Sequence, residues 1–363
     1  MMKKRPIIIV LCVPLLTLML FPAQTKCNTT ISQTVFSAND SVMNGLPPGT
    51  NFSIFWITDT QYLSESHPTY FTDLCRWIVN NAKNYNVKMV IHTGDIVQDE
   101  DNRTQWETAN KSMSVLLEAD LPYCWNAGNH DYDQTCWIGD EYLAFNPKVM
   151  ATKPFWVDDY LDGQNTAVQF SVGDMDFLVV NVEYYSSDDV LDWVNKVLDA
   201  HANCSSIVGA HAYLNNTGGY GGGEIDIYPW QTKFKEGVLD VHSNVFLTLS
   251  GHFHPSSGSR TQVGGRHELM FNRQDSDGQL GAASLRILSF DLEECKIYVQ
   301  TYLVHANCFL DDSNNQFMLT TTFRNDELPT RETCTDYVLI AFVVSVVIVS
   351  SVLVLTYHFL RKH

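Results

Sequence analysis

The chain has 363 residues, of which 45% are hydrophobic, and carries 41 acidic against 23 basic side chains for a formal net charge of −18. That is apolar mass enough for one large domain or two small ones. With no basic stripe to offset the acidic balance, no nucleic-acid-binding surface is evident; such a charge ordinarily means solubility, with some of the Asp left over to bind cations.

The elements follow in chain order. Lys3, Lys4 and Arg5 precede an apolar run from Pro6 to Pro22, and Ala23 follows; a basic start, a short apolar stretch and a small residue predict an export signal over 1–23. An uncut N-terminal anchor is the alternative. Residues 24–50 are polar and end in Gly and Pro, as a linker does. A strand is predicted over Phe52–Ile57, a helix over Phe71–Ala82, a strand over Val87–Ile91, a helix over Thr104–Leu117 and a strand over Tyr123–Ala127. A long irregular section then runs to about Asn165. Ala167–Tyr184, broken at Gly173-Asp174, reads as a hairpin. Helix Val190–Leu198, strand Ile207–Ala210, helix Trp230–Val241 and strand Val245–Leu249 come next, and Glu268–Phe271, Ser284–Leu292, Lys296–His305 and Phe317–Phe323 are strands. Strand-helix alternation followed by strands predicts a layered α/β domain over 51–323. Residues 324–336 read as a stalk. Val338–Leu360 is apolar and uncharged, long enough to cross a bilayer, and Arg361, Lys362 and His363 behind it predict a cytoplasmic tail at 361–363. A lipid-anchor signal also carries an apolar tail, but the basic end disfavours it.

Export at one end and a membrane stop over 337–360 at the other predict a single-pass protein, attached to the membrane through this C-terminal helix, with an extracytoplasmic domain. Cysteine usage agrees. Nine occur, Cys12 within the signal and then Cys27, Cys75, Cys124, Cys136, Cys204, Cys295, Cys308 and Cys334, an even set without Cys-x-x-Cys spacing, which points to disulfides rather than a zinc knot. Sequons at Asn28, Asn39, Asn51, Asn102, Asn110, Asn203 and Asn215 fit a glycoprotein, though such triplets also arise by chance.

The residues that could carry chemistry fall just after the C-terminal ends of predicted strands, where open α/β sheets collect their active sites. They are Asp59-Thr60-Gln61, Gly94-Asp95, Gly128-Asn129-His130-Asp131, His211 and Gly251-His252-Phe253-His254. Each alone is weak, since Gly-Asp is common in turns and a lone His at a strand end is more often structural. Together, five acidic, amide and imidazole clusters in an apolar setting suit divalent or trivalent metals. His252 and His254, two apart, share one face of an extended segment, and the glycines before Asp95, Asn129 and His252 permit tight turns into one cleft.

In that order, Asp-x-Gln, Gly-Asp, Gly-Asn-His-Asp, His and Gly-His-x-His resemble the calcineurin-like metallophosphoesterase superfamily, across roughly Asn51 to Leu319. The resemblance implies a four-layer α/β sandwich, two mixed β-sheets flanked by helices, with two metal ions at the strand ends. It implies one ion on Asp59, Gln61, Asp95 and His254, and another on Asp95, Asn129, His211 and His252, with Asp95 bridging. His130 would protonate the leaving oxygen or steady the phosphoryl group, Asp131 would orient His130, and a hydroxide between the ions would attack phosphorus. The expected activity is hydrolysis of phosphate mono- or diesters; the ions expected are manganese, zinc, iron or magnesium.

One departure stands out. The family usually has His where this chain has Gln61, and an amide oxygen is a harder, weaker donor that favours manganese, magnesium or calcium over zinc. The alternative is a catalytically silent relative serving as a surface binding module; retention of His130 and Asp131 favours the enzyme. His92 reads as packing. Arg273 reads as a surface salt bridge or a phosphate contact. The Gly-rich run 218–223 is a loop or a lid, and Trp125, Trp137 and Trp156 are core or the wall of a pocket.

Overall fold

The computed structural model describes residues 45–132, 137–220, 227–254 and 257–324. Its first strand, β1 (Phe52–Ile57), is buried along its whole length. Phe52, Ile54 and Trp56 face one apolar core and Phe55 and Ile57 another, because successive strand side chains point to opposite faces. A third core lies on the far side of the second sheet.

After β1 come α1 (Gln61–Glu65), α2 (Pro68–Ala82), β2 (Val87–His92), α3 (Arg103–Glu118), β3 (Tyr123–Trp125), α4 (Pro147–Met150), β4 (Trp156–Tyr160), β5 (Asn165–Val172) and β6 (Met175–Val182). Then follow α5 (Asp188–Ala200), β7 (Ser205–Ala210), α6 (Ile227–Phe234), β8 (Val245–Ser250), β9 (Ser259–Val263), β10 (Arg266–Met270), β11 (Ser284–Asp291), β12 (Lys296–Leu303), β13 (Cys308–Leu310) and β14 (Gln316–Thr320). Local sequence sets several boundaries. Pro68 opens α2, where a missing N–H costs nothing, and the Asn102 side chain caps α3 by accepting from the amides of Thr104 and Gln105.

Two seven-stranded sheets result. One runs β13-β12-β11-β1-β2-β3 with β14 on β12, and the other β4-β5-β6-β7-β8-β10-β9. Both are mixed: β1, β2 and β3 are parallel while β11 is antiparallel to β1, and β6, β7, β8 and β10 are parallel between antiparallel edges. The outer face of the first sheet packs Phe55, Val90 and Ile287 on Phe71, Leu74 and Ile78 of α2 and Trp106 and Met113 of α3. The second sheet sets Leu178, Val180 and Val208 against Val190, Val194 and Leu198 of α5 and Phe234 of α6. Between the sheets, Phe52 stacks on Phe290 (4.5 Å between centroids) and meets Phe177 edge-on (5.2 Å). The layering is therefore helix, sheet, sheet, helix, as expected.

Several expectations need correction. The stretch to Asn165 holds α4 and β4. The predicted helix Trp230–Val241 is shorter, and the chain turns π-helical over Lys235–Leu239. The described domain begins before residue 51, since the Leu46 amide donates to the Asn84 carbonyl (3.2 Å). The disulfide expectation fails for Cys75, Cys124, Cys295 and Cys308, which are free thiols; Cys75 and Cys124 are fully buried in different cores. Cys12, Cys27, Cys136 and Cys334 lie outside the described residues. Asn215 is a poor glycan acceptor, being buried with its Oδ1 accepting from the Thr217 and Gly219 amides; Asn51 and Asn203 are exposed. No helix among the described residues is long and apolar enough to cross a membrane; the predicted signal 1–23, stalk residues 325–336, span 337–360 and tail 361–363 lie outside them.

Phe177 joins the two sheets through Phe52, Phe170, Phe246 and Phe290. Phe177→Ala is expected to cost about 3–5 kcal/mol of unfolding free energy, read as a lower urea midpoint at unchanged slope.

Candidate metal centre

The parallel strands β1, β2, β7 and β8 end side by side, and each delivers a polar residue beyond its last apolar one. Asp59 follows β1 and Asp95 follows β2, both buried and both with left-handed backbones (φ 51° and 54°). His211 follows β7, and His252 follows β8 at φ 63°. The side chains converge. The reactive atoms of Asp95, His211 and His252 lie within 4.8 Å of one another. Asn129 brings its Oδ1 to 3.0 Å from His211 Nε2 and 2.9 Å from His252 Nδ1.

Glycine makes this proximity possible at two positions. A Cβ on Gly128 would strike the Asp95 carboxylate, and one on Gly251 would strike the Asp59 carboxylate and the Thr58 hydroxyl.

Surrounding groups fix the orientation of each donor. The Trp56 indole N–H donates to Thr93 Oγ1 (2.9 Å), which donates to Thr58 Oγ1 (2.7 Å), which donates to Asp59 Oδ2 (2.5 Å). The His252 amide donates to both Asp59 oxygens (3.1 and 3.2 Å). His211 Nδ1–H donates to the Thr93 carbonyl (2.7 Å), leaving Nε2 as the nitrogen turned on the cleft. His92 is a packing residue, as expected. Its Nδ1 accepts from the Gly94 amide (3.2 Å), so its Nε2–H donates to Thr60 Oγ1 (2.9 Å), and burial, with His211 adding repulsion, pushes it down to about 3, keeping it neutral.

The charges are strongly coupled. Burial alone would raise Asp95, but the charge and hydrogen bond of His211, 3.3 Å away, hold it well below the usual carboxylate range. Burial opposes protonation of His211 too, yet Asp95 and then Asp59 raise it to about 9. Burial lifts Asp59 to about 8; His211 opposes this and Asp95 reinforces it.

Gln61, at the start of α1, donates its Nε2–H to Asp95 Oδ2 (3.2 Å) and to Gln274 Oε1. Its own Oε1 is buried with no partner. An orphaned amide oxygen beside two buried carboxylates is what a cation would satisfy. With the imidazole nitrogens and Asn129 Oδ1, the donor set fits hard or borderline divalent ions.

Two predicted residues make contacts that the sequence does not reveal. His254 is half-exposed, and its Nδ1 lies 2.6 Å from Asp275 Oδ2, which leaves Nε2 as its second donor. Asp131 does not orient His130. Its Oδ1 accepts from the amides of Ile96 (2.7 Å) and Val97 (3.0 Å) and its Oδ2 from Gly128 (2.7 Å), so it clamps the β2 and β3 loops together. The His130 ring is held instead by the Gln98 carbonyl, 2.9 Å from Nδ1, and its amide donates to Asp95 Oδ1 (3.0 Å). Arg273 lies 3.6 Å from Asp277. Trp125 and Trp156 pack in the domain at 5.5 Å from one another. The sequence reading missed Asn272, which donates to the His252 carbonyl (3.2 Å), and Gln274; both follow β10, so the rule of polar residues at strand ends could have found them.

With this geometry in place, comparison with known proteins settles the class. The chain belongs to the calcineurin-like phosphoesterase family, whose model matches residues 52–256. An uncharacterised Bacillus subtilis protein, YvnB, is 30% identical over 278 residues, which is 73% of this chain but only 21% of that protein. The chain thus spans about a fifth of that curated relative. Among solved structures, a dimetal phosphatase from Danio rerio aligns over 75% of this chain and 100% of its own at 14% identity, with a TM-score of 0.51. A purple acid phosphatase from yellow lupin seeds aligns over 77% and 56% at 13% identity, with a TM-score of 0.47. The family implies divalent metal ions.

Two predictions follow from the geometry. Gly128→Ala is expected to weaken manganese binding at least about tenfold in calorimetric titration, whereas Gly237→Ala, where a Cβ meets nothing within 4 Å, keeps wild-type affinity. The second concerns Glu183, which burial raises from 4.5 to about 7 despite its hydrogen bond from Asn165. Its neutral form is the one the fold favours, so this contribution is intact below pH 4.5 and is lost as pH rises through 7, by about 3 kcal/mol. In metal-free protein, urea midpoints measured across that window should fall less for Glu183→Gln than for wild type; the decline contributed by Asp59 and Asp131 is common to both.

Proposed function

We propose that this chain hydrolyses phosphate mono- or diesters with a pair of metal ions held by its strand-end residues. The observation that carries this reading is the meeting of two buried carboxylates, two imidazoles and two amide oxygens in one cleft, one of those oxygens without a partner. Asp95, Asn129, His211 and His252 would hold one ion. Asp59, Gln61 and Asp95 would hold the other, with His254 Nε2 as a further donor while Asp275 engages its Nδ1. Bound there, the ions supply positive charge for the phosphoryl oxygens and a deprotonated water as nucleophile. Manganese or magnesium suits Gln61 better than zinc does.

The chain's own residues complete the site. His130 is half-buried beside Asp95, and its Nδ1–H is spent on Gln98, so Nε2 is the nitrogen that donates a proton to the departing alkoxide. Asp131 fixes the loop bearing Asn129 and His130. The reading of an exported, membrane-tethered enzyme rests on the sequence of segments 1–23 and 337–360.

The test is hydrolysis of bis(p-nitrophenyl) phosphate and p-nitrophenyl phosphate by the full-length chain, stripped of metal and then reloaded with manganese, zinc, iron or magnesium. Turnover is expected to require metal and to fall about 10²–10⁴-fold in His130→Ala with metal content kept. Asp95→Asn should lose both turnover and metal. An active, fully metallated Asp95→Asn protein would overturn the assignment; metal binding without turnover of either ester would favour a silent binding module.

A further inference from the structure

Beside the metal cleft lies a cavity of about 1070 Å³, far larger than a phosphate needs. Asn129 and Tyr184 belong to both: Asn129 contacts the two imidazoles, and the Tyr184 ring lies 5.3 Å from that of His252. A group esterified to a phosphate in the cleft would therefore extend into this space.

Its walls are aromatic and fixed. Tyr132, Trp137, Tyr184, Tyr185 and Trp230 line it. Three of them have their polar atoms spent on the backbone. Tyr132 Oη–H donates to the Tyr184 carbonyl (2.5 Å), the Trp137 indole N–H to the Asp162 carbonyl (3.0 Å), and that of Trp230 to the Ser186 carbonyl (3.0 Å). Such rings offer immobilised faces, the geometry that stacks flat ligands. Tyr185 stands out. It is 44% exposed and holds a left-handed backbone at φ 50°, an unfavourable state for a bulky side chain that tends to persist at ligand sites. Its ring is 6.2 Å from that of Tyr184.

The charge of the lining decides the class further. Among the described residues the lining has one cation, Lys233, and Asp188 of the same wall engages it. Glu183 and Gln164 supply polar edges instead. A second phosphate would find no unpaired positive charge here and a carboxyl facing it, whereas ring N–H and O–H groups would find acceptors.

Building on the hydrolase reading above, we propose that this cavity takes the organic group of the phosphoester and selects a flat, uncharged ring system of nucleoside size over an anionic tail. Binding of the free ring compound is a property of the cavity alone, so it can be read without turnover. Adenosine and thymidine, titrated calorimetrically into the metal-free full-length chain, are expected to bind, and inorganic pyrophosphate is not. Tyr185→Gly, which also relieves the left-handed backbone, should weaken nucleoside binding about tenfold. Ser187→Trp, at an exposed helix-cap position with no side-chain cap bond, should block it. In the metal-loaded protein, thymidine 5′-(p-nitrophenyl) phosphate should be cleaved with a lower KM than methyl p-nitrophenyl phosphate, and Tyr185→Gly should narrow that gap. Nucleoside binding without hydrolysis would keep the cavity assignment and remove the hydrolase reading. Hydrolysis of the methyl ester without nucleoside binding would overturn the cavity assignment, as would nucleoside binding undiminished in both variants.

Discussion

Two carboxylates with no access to water, Asp59 and Asp95, share one cleft at the ends of adjacent parallel strands, and the groups around them answer that repulsion. Without a cation the cleft balances itself with protons: His211 stays charged against Asp95 while Asp59 rises to about 8. Protons held this way are exchangeable for a metal ion, since ligation requires the same groups in their deprotonated forms. The donor chain from Trp56 through Thr93 and Thr58 reaches Asp59 Oδ2, and the His252 amide reaches both oxygens. Each favours the ionised carboxylate that a metal requires.

The backbone carries a matching strain. Asp59, Asp95 and His252 all occupy the left-handed region, which L-residues with side chains avoid at roughly 1–3 kcal/mol each. A turn of that kind immediately after a strand reverses the side chain's direction, so that residues leaving β1, β2 and β8 aim into the same space. The strands that enforce it are pinned on both faces by the inter-sheet aromatic stack and the helical layers. The fold thus spends packing energy at the middle of the strands on geometry at their ends.

How much of this could be read from the sequence differs by feature. The buried strands Phe52–Ile57 and Val245–Ser250 are largely apolar, broken only by Ser53, Thr248 and Ser250, and the polar clusters behind them are local patterns, so both are visible in one dimension. The short elements α1, β9 and β13 have no such pattern: each is only three to five residues long, and β9 and β13 are partly exposed edge strands. Asp131 shows where resemblance outruns structure. Asp131 was assigned to the neighbouring imidazole, whereas three backbone amides already consume its oxygens. The position of Gln274 behind β10 is a local signal, whereas its partnership with Gln61 spans 213 positions and shows only in the fold. The cysteines mislead for another reason: even counts suggest pairing, yet Cys75 and Cys124 serve as small apolar residues in different layers.

The Tyr184 peptide is fastened on both sides, its amide donating to the Ala127 carbonyl (3.0 Å) and its carbonyl accepting from Tyr132 Oη (2.5 Å). Residues 127 and 132 bracket Asn129, His130 and Asp131. The wall of the cavity and the loop that carries the metal-site amide are consequently one mechanical unit. Divergence of specificity in this lineage is then constrained: replacements at Tyr132 or Tyr184 would disturb catalysis along with selectivity, while Tyr185, Ser187 and Lys233 stand outside the fastening and are the positions at which new preferences could evolve without loss of the chemistry.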